Sequence, residues 1–363
     1  INRMNMPVEE YLDRFVTHPS LRDIISQHFF KNTPAFFALS YFSLYLDYFY
    51  PIGGVGTLSE ALKNKVLDFG GDIATATRIT EVQAGQHLVK DQDGNSYSYE
   101  NLIWASDLKA LYHMVETKDV PPKSKTSFEE TKKKMLRNRG GDSVFSLFLE
   151  VDEPLESFSK IAHGHFFYTP SRMGLGQTHR KELQDLLLDL EKLDKVRILK
   201  WLDKFIRLNT YEISIPGLKD PSLVPQGKTG IIISFLAEYD LFKKIRDAGW
   251  LDEFLAELEN RVIREITVSI YPMLEGKIMG HFSFSPLSIE SRVGSSEGAI
   301  VGWEFQKSMP VVNKIQISDR SVLTPVPTIF QAGQWAYSPA GVPMSILTGK
   351  LAADKVLKNL AKA

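Results

Sequence analysis

Phe330-Gln-Ala-Gly-Gln-Trp-Ala-Tyr-Ser-Pro-Ala-Gly-Val-Pro-Met-Ser-Ile-Leu-Thr-Gly-Lys-Leu-Ala-Ala353 is the stretch on which the reading of this chain turns. Ile329 to Ala332 is short, apolar and extended in character, and Gly333 to Gly341 is glycine- and proline-punctuated. From Val342 and Pro343 an amphipathic pattern runs to Leu360. Proline at a first helical position and glycine just before it mark a helix start. The stretch therefore predicts strand, glycine loop and helix, with unpaired amides at the helix amino terminus, where anions and electron-rich oxygens are favoured. Gly349 shares a face with Ile346, Ala353 and Val356, so a flat ring or another backbone has room to approach there. Taken alone, the pattern also fits an ordinary strand-loop-helix unit.

Working outward, a second ordered set begins at Pro51-Ile-Gly-Gly54. A helix over Leu58, Ala61, Leu62, Val66 and Leu67 follows and stops at Gly70-Gly71. Strands are expected over Ile73 to Val82, His87 to Lys90, Ser96 to Tyr99 and Leu102 to Ala105, with a turn at Asp93-Gly94. Residues 108 to 140 read as helix and loop, Ser143 to Val151 as a strand, and 177 to 208 as one long helix. Tyr211 to Ile215 and Gly230 to Leu236 read as strands, 250 to 270 as helix, and 281 to 324 as loop-rich, closed by Pro325 and Pro327. The first fifty residues read as helices broken at His18-Pro19 and Pro34, ending in an aromatic stretch from Ala35 to Tyr50.

With 363 residues, the chain is long enough for two domains. Forty-three basic residues against 44 acidic ones leave a net charge of −1, so no field recruits nucleic acid. No cysteine is present, which removes disulfides, thiolate metal ligands and thiol catalysis and fits a reducing compartment. His163 and His165 alternate on a strand without a third ligand at metal spacing, so no metal site is expected. His113, His179 and His281 read as ordinary histidines, and the lysine runs 123–134 and 192–204 as solvated helix faces. No nucleophile elbow of the form G-x-S-x-G occurs. No unbroken run of about 18 apolar residues occurs either, so no spanning helix is expected; the expected location is cytoplasmic, with peripheral contact at a membrane as the alternative.

The set Pro51-Ile-Gly-Gly, Gly70-Gly-Asp-Ile, Arg78-Ile-Thr-Glu-Val82 and Leu102-Ile-Trp-Ala-Ser-Asp107 resembles the phytoene desaturase family of flavoproteins, with its carotenoid isomerases and retinol saturases. Ser214-Ile-Pro-Gly-Leu-Lys-Asp-Pro221, Phe284-Ser-Pro286, Glu297-Gly-Ala-Ile-Val-Gly-Trp303 and the terminal stretch agree with it. The resemblance implies a mixed α/β fold in which an incomplete Rossmann-like FAD domain, residues 51–107 and 325–363, is interwoven with a substrate domain, residues 1–50 and 108–324. It implies FAD-dependent redox chemistry on a carbon–carbon bond of an apolar polyene or isoprenoid. In such a protein Ile79 and Val82 lie near the adenine, Gly333 and Gln334 near the ribityl and pyrophosphate, and Gly341, Val342 and Pro343 against the isoalloxazine. Gln334 and Ala340 stand where many relatives carry an acidic residue and a glycine.

No G-x-G-x-x-G opens a helix after a strand; Gly54-Val-Gly56 and Gly174-Leu-Gly176 are only partial matches. The pyrophosphate cradle is accordingly expected upstream of Ile1, and the piece alone is expected to hold FAD poorly. Two rival readings share the broad fold: a non-catalytic lipid escort, and a flavin amine oxidase.

Overall fold

The structure, a computed structural model, describes residues 5–26, 29–44, 49–175, 178–188, 194–306 and 308–361. The described helices are α1 (Val8–Leu12), α2 (Pro19–Ser26), α3 (Ala35–Leu44), α4 (Gly56–Asp68), α5 (Leu108–Met114), α6 (Pro122–Arg137), α7 (Leu155–Ser159), α8 (Thr178–Leu188), α9 (Lys195–Leu208), α10 (Pro216–Lys219), α11 (Tyr239–Asp247), α12 (Leu251–Ser269), α13 (Pro286–Val293) and α14 (Val342–Leu360). The strands are β1 (Ile79–Gln83), β2 (Leu88–Asp91), β3 (Ser96–Ser98), β4 (Leu102–Trp104), β5 (Val115–Glu116), β6 (Ser143–Val151), β7 (His165–Tyr168), β8 (Tyr211–Ser214), β9 (Thr229–Ala237), β10 (Ile278–Phe284) and β11 (Ile329–Gln331). The fold is mixed α/β.

Two compact units each take two separated stretches of chain: Ile1–Gly71 with Ser143–Ser288, and Asp72–Asp142 with Ile289–Ala363. The sequence reading drew its boundaries after residues 50, 107 and 324. The structure places α4 with the first unit, and residues 108–142 and 289–324 with the second.

The first unit is built on an antiparallel sheet of order β10-β6-β9-β8-β7. Alternation along β6, β8 and β9 sends Phe145, Leu147, Leu149, Tyr211, Ile213, Ile231, Ile233 and Phe235 to one side. There they join Ile198, Trp201, Leu202 and Phe205 of α9 and Phe254, Leu258, Val262 and Ile266 of α12 in one core. The α12 residues recur every fourth position, which is why that helix buries a single stripe. Asp252 and Glu253 favour its amino end, and Pro272 lies just beyond its last turn. The single long helix expected over 177–208 is instead α8 and α9. Asp194 accepts a hydrogen bond from the Val196 N–H at 2.9 Å and so starts α9 afresh.

In the second unit β3-β2-β1-β5 form one sheet, with β1–β5 parallel, and β11 pairs with β4 in parallel. The strand expected from Ile73 begins only at Ile79, because Ala76 sits at φ +55° and turns the chain. The β2–β3 turn closes on Asp91, whose carboxylate accepts the N–H groups of Asp93 and Asn95 at 2.9 Å and the Tyr97 hydroxyl at 2.9 Å. The loop-rich segment expected from residue 281 in fact opens with the end of β10 and α13.

Candidate functional site

The quoted terminal stretch folds as strand, loop and helix. Ile329, Phe330 and Gln331 lie opposite Leu102, Ile103 and Trp104, and the Ala332 N–H donates to the Trp104 carbonyl at 2.8 Å. The chain then turns at Gly333, φ +82°, where a Cβ would stand 3.2 Å from the Ala105 carbonyl. Thr348, wholly buried in the second turn of α14, accepts the Gly333 N–H at 3.0 Å and donates to the Met344 carbonyl at 2.8 Å. One hydroxyl thus ties the loop to the helix it feeds.

The loop is fixed from outside as well. Trp303 donates its indole N–H to the Trp335 carbonyl at 2.8 Å, and the two rings meet edge to face at 4.8 Å. Gly302, φ +80°, lets the Gln334 carbonyl come so near that any Cβ there would lie 2.4 Å from it. Asp107, buried, accepts from the Ala110 N–H at 2.9 Å, capping α5, and from the Ser296 N–H at 2.6 Å. Glu297 accepts from Lys109 at 2.5 Å and from the Gly140 N–H at 2.9 Å. The segments 102–107, 297–303 and 330–343, far apart in sequence, are therefore one hydrogen-bonded cluster in the second unit.

At the helix start Gly341 has φ +142°, a region open almost only to glycine, and no side chain caps the end. Pro343 has no N–H, so the amides offered are those of Val342 and Met344, with the helix dipole behind them. Val342 and Ile346 are exposed, and a Cβ on Gly349 would meet nothing within 4 Å. An uncapped helix start of this kind favours an electron-rich group.

Gln334 is half-buried, Ile79 begins β1 partly buried, and Val82 is wholly buried with β2 on one side and β5 on the other. All seven residues singled out lie in the second unit. The motif segments at 51–54 and 214–221 instead meet in the first unit. Asp220 accepts the Gly53 N–H at 2.6 Å, and Lys219 lies over the Tyr50 ring at 4.9 Å. The Asp220 carboxyl is held below the usual range, first by that Gly53 N–H and then by Ser222.

Sequence reasoning missed the other face of the five-stranded sheet. Register places Phe282, Phe148, Ile232, Ser214 and His165 in one row across it, and Phe284, Ser146, Ser234, Glu212 and Phe167 in the next. All ten are at least partly exposed. Phe148 and Phe282 stack at 4.7 Å, the Ser146 and Ser234 hydroxyls share a hydrogen bond of 2.8 Å, and His165 meets Glu212 at 2.8 Å. The signal was present: β6 and β9 carry Val144, Phe148, Ile232 and Leu236 at positions that a one-sided strand fills with polar residues.

His163 is exposed and its expected neighbour His165 is engaged by Glu212, while His281 lies 3.4 Å from Glu259. Among the described residues no three His, Cys, Asp or Glu gather as metal ligands, and no helix is long and apolar enough to cross a membrane. The aromatic stretch is less buried than a core helix: Ala35 and Ala38 are enclosed, whereas Tyr41 and Phe42 are exposed. Residues 45–48 and Lys192, and the side chain of His179, lie outside the described residues.

In the second unit parallel strands deliver a glycine loop to a helix start without a side-chain cap, and in the first an antiparallel sheet is backed by helices. The family model for flavin-containing amine oxidoreductases matches residues 7–357, and the chain belongs to that family. It is 24% identical over 153 residues to the 4,4'-diapophytoene desaturase of Staphylococcus aureus, an alignment covering 41% of this chain and 29% of that protein. It resembles putrescine oxidase bound to putrescine, with TM-score 0.57, 13% identity and coverage of 98% and 69% of the two chains. Cyclohexylamine oxidase from Brevibacterium oxydans follows at TM-score 0.52, 8% identity, 99% and 69% coverage. The chain spans less than a third of the desaturases it matches.

Proposed function

We propose that the chain supplies the isoalloxazine-facing helix start and the apolar surface of an FAD-dependent oxidoreductase acting on a carbon–carbon bond of a long apolar polyene. The observation that carries this is the bare Gly341 end of α14, with the Thr348 tie holding its loop. Val342 and Met344 would donate to the electron-rich edge of the ring, and Gly333 and Gln334 would lie along the chain that leads to the phosphates. Ile79 and Val82 would flank the adenine. The bound flavin would take up the electron pair. The protein's part is to hold that ring, place an apolar substrate and keep water away.

Amine oxidation is a second reading, favoured by the family model that spans nearly the whole chain. The complete polypeptide, purified and mixed anaerobically with either a polyene or a primary amine, decides between them by bleaching of the flavin absorbance. Bleaching by amines alone overturns the polyene reading. A colourless protein overturns both and favours a lipid escort.

A further inference from the structure

Within the second unit the chain makes a strained turn from Ser296 to Ala299. The Ala299 N–H closes it on the Ser296 carbonyl at 3.2 Å, with Glu297 at φ +55° and Gly298 at φ +61° between them. Positive φ at both central positions suits glycine, asparagine or aspartate, and a glutamate adopts it at a cost. The carboxylate is what holds Glu297 there. One oxygen meets the Lys109 ammonium of α5 at 2.5 Å and the other accepts the Gly140 N–H at 2.9 Å. Only 14% of the lysine side chain and 21% of the glutamate side chain are exposed, so water competes little for the pair.

That grip reaches the glycine loop through the residues that follow. Residues 300–304 run back along 139–142: the Ile300 N–H donates to the Asp142 carbonyl at 3.3 Å, the Gly141 N–H to the Gly302 carbonyl at 2.7 Å, and the Glu304 N–H to the Arg139 carbonyl at 3.1 Å. Gly140, which Glu297 holds, lies opposite Trp303 in this pairing. Gly302 and Trp303 in turn meet the loop, Gly302 against the Gln334 carbonyl and Trp303 through its indole N–H on the Trp335 carbonyl. Fixing a carbonyl fixes the N–H across the same planar peptide, so the Trp335 N–H takes its direction from Gly302.

We propose that Glu297 is a positioning residue for the flavin. Paired with Lys109 and the Gly140 N–H, it sets the place of Gly302 and Trp303, and through them the backbone from Gly333 onward. The proposal rests on the flavin reading of that loop. Its carboxylate is engaged by Lys109 and Gly140, so Glu297 acts on the cofactor at one remove and a lost ion pair should show first as a displaced loop.

The test is hydrogen exchange of the indole N–H groups, followed by NMR in the complete polypeptide, with flavin absorbance per protein measured on the same samples. Lys109→Met is expected to speed exchange at Trp303 about tenfold, the effect of losing one hydrogen bond to a charged group, with loss of bound flavin. Lys109→Arg should restore both. Glu297→Gln should act like Lys109→Met, and the two together should do little more than either alone, because they remove a single interaction. Trp104 serves as the control, since its indole donates to the Asp107 carbonyl at 2.8 Å in the same unit. Unchanged exchange at Trp303 in both variants overturns the proposal. So does equal acceleration at Trp104, which marks a general loosening of the unit in place of a displaced loop. Faster exchange at Trp303 with full flavin occupancy breaks the link from loop to cofactor and overturns it as well. A wild type without flavin sinks the reading on which the proposal rests, while the exchange rates still report the Lys109–Glu297 tie.

Discussion

The two units hold their functional parts by different means. In the first, Phe145, Ile233 and Phe235 belong to one apolar layer between the sheet and α9 and α12, and the open face is held in place as the reverse side of that layer. In the second, the loop from Gly333 to Gly341 sinks Trp335 into that unit's own apolar core and is set in detail by discrete ties: the Gly333 N–H to Thr348, Trp303 to the Trp335 carbonyl, and the Ser338 N–H to the Val312 carbonyl. Dispersion and burial spread over many atoms tolerate local change, while a discrete hydrogen bond acts at one point and fails at one point. The first unit should therefore lose stability when its inner face is cut, and the second should lose loop position before it loses its fold.

Phe145→Ala against Phe148→Ala tests this most directly, since the two side chains leave the same strand on opposite faces. Phe145 is wholly buried and its truncation should cost about 3–5 kcal/mol. The midpoint of thermal unfolding should then fall by roughly 6–20 °C. Phe148→Ala removes a half-exposed ring stacked on Phe282, a contact of about 0.5–1.5 kcal/mol. Equal losses from the two variants would mean that the open face is a second core and not a binding surface.

Asp107→Ala comes next. It strips the cap of α5 and leaves the Ser296 N–H without its acceptor, which should cost about 1–3 kcal/mol. Thermal unfolding of that variant beside Asp107→Asn separates the two roles, because the amide keeps one acceptor oxygen and should recover part of the loss. Smaller again is Thr348→Val, nearly the same shape without the hydroxyl that meets Gly333, at about 0.5–1.5 kcal/mol. Its larger effect should be on flavin content of the complete polypeptide, measured as flavin absorbance per protein. Full flavin occupancy in that variant would show that the Thr348 tie is not needed to hold the loop.

Much of this architecture was legible in the sequence where pattern and punctuation agree. Gly341, Val342 and Pro343 marked the start of α14, and the alternation of Ser143 to Val151 marked β6 to the residue. The reading failed where a single residue outweighs the pattern. Asp194 starts a new helix inside a leucine-rich run, and Ala76 bends a stretch of good strand formers. β10 was lost because Gly280 and His281 interrupt its alternation. The open sheet face was hidden for another reason: it consists of rows across five strands, and rows exist only once register is known. Thr348 was missed because a threonine inside a helix gives no sign that its hydroxyl serves a loop fifteen residues away.

The weakest expected effect belongs to Asp91, a polar tie in the second unit far from the glycine loop in sequence. Its carboxyl is held below the usual range, first by the Asn95 side chain, then by the Tyr97 hydroxyl and the Asn95 and Asp93 N–H groups, against the cost of burial. Because the folded value is depressed, the stability it lends is complete above the unfolded carboxylate's value of about 3.9 and drains away as pH falls through the folded one. Thermal midpoints of the wild type and Asp91→Asn should therefore differ at neutral pH and converge below about pH 4. The β2–β3 turn should fray while the glycine loop, tied through neutral donors and acceptors at Thr348 and Trp303, stays in place. If acid displaces both together, the second unit is a single cooperative layer like the first, and the contrast between spread packing and single ties does not hold.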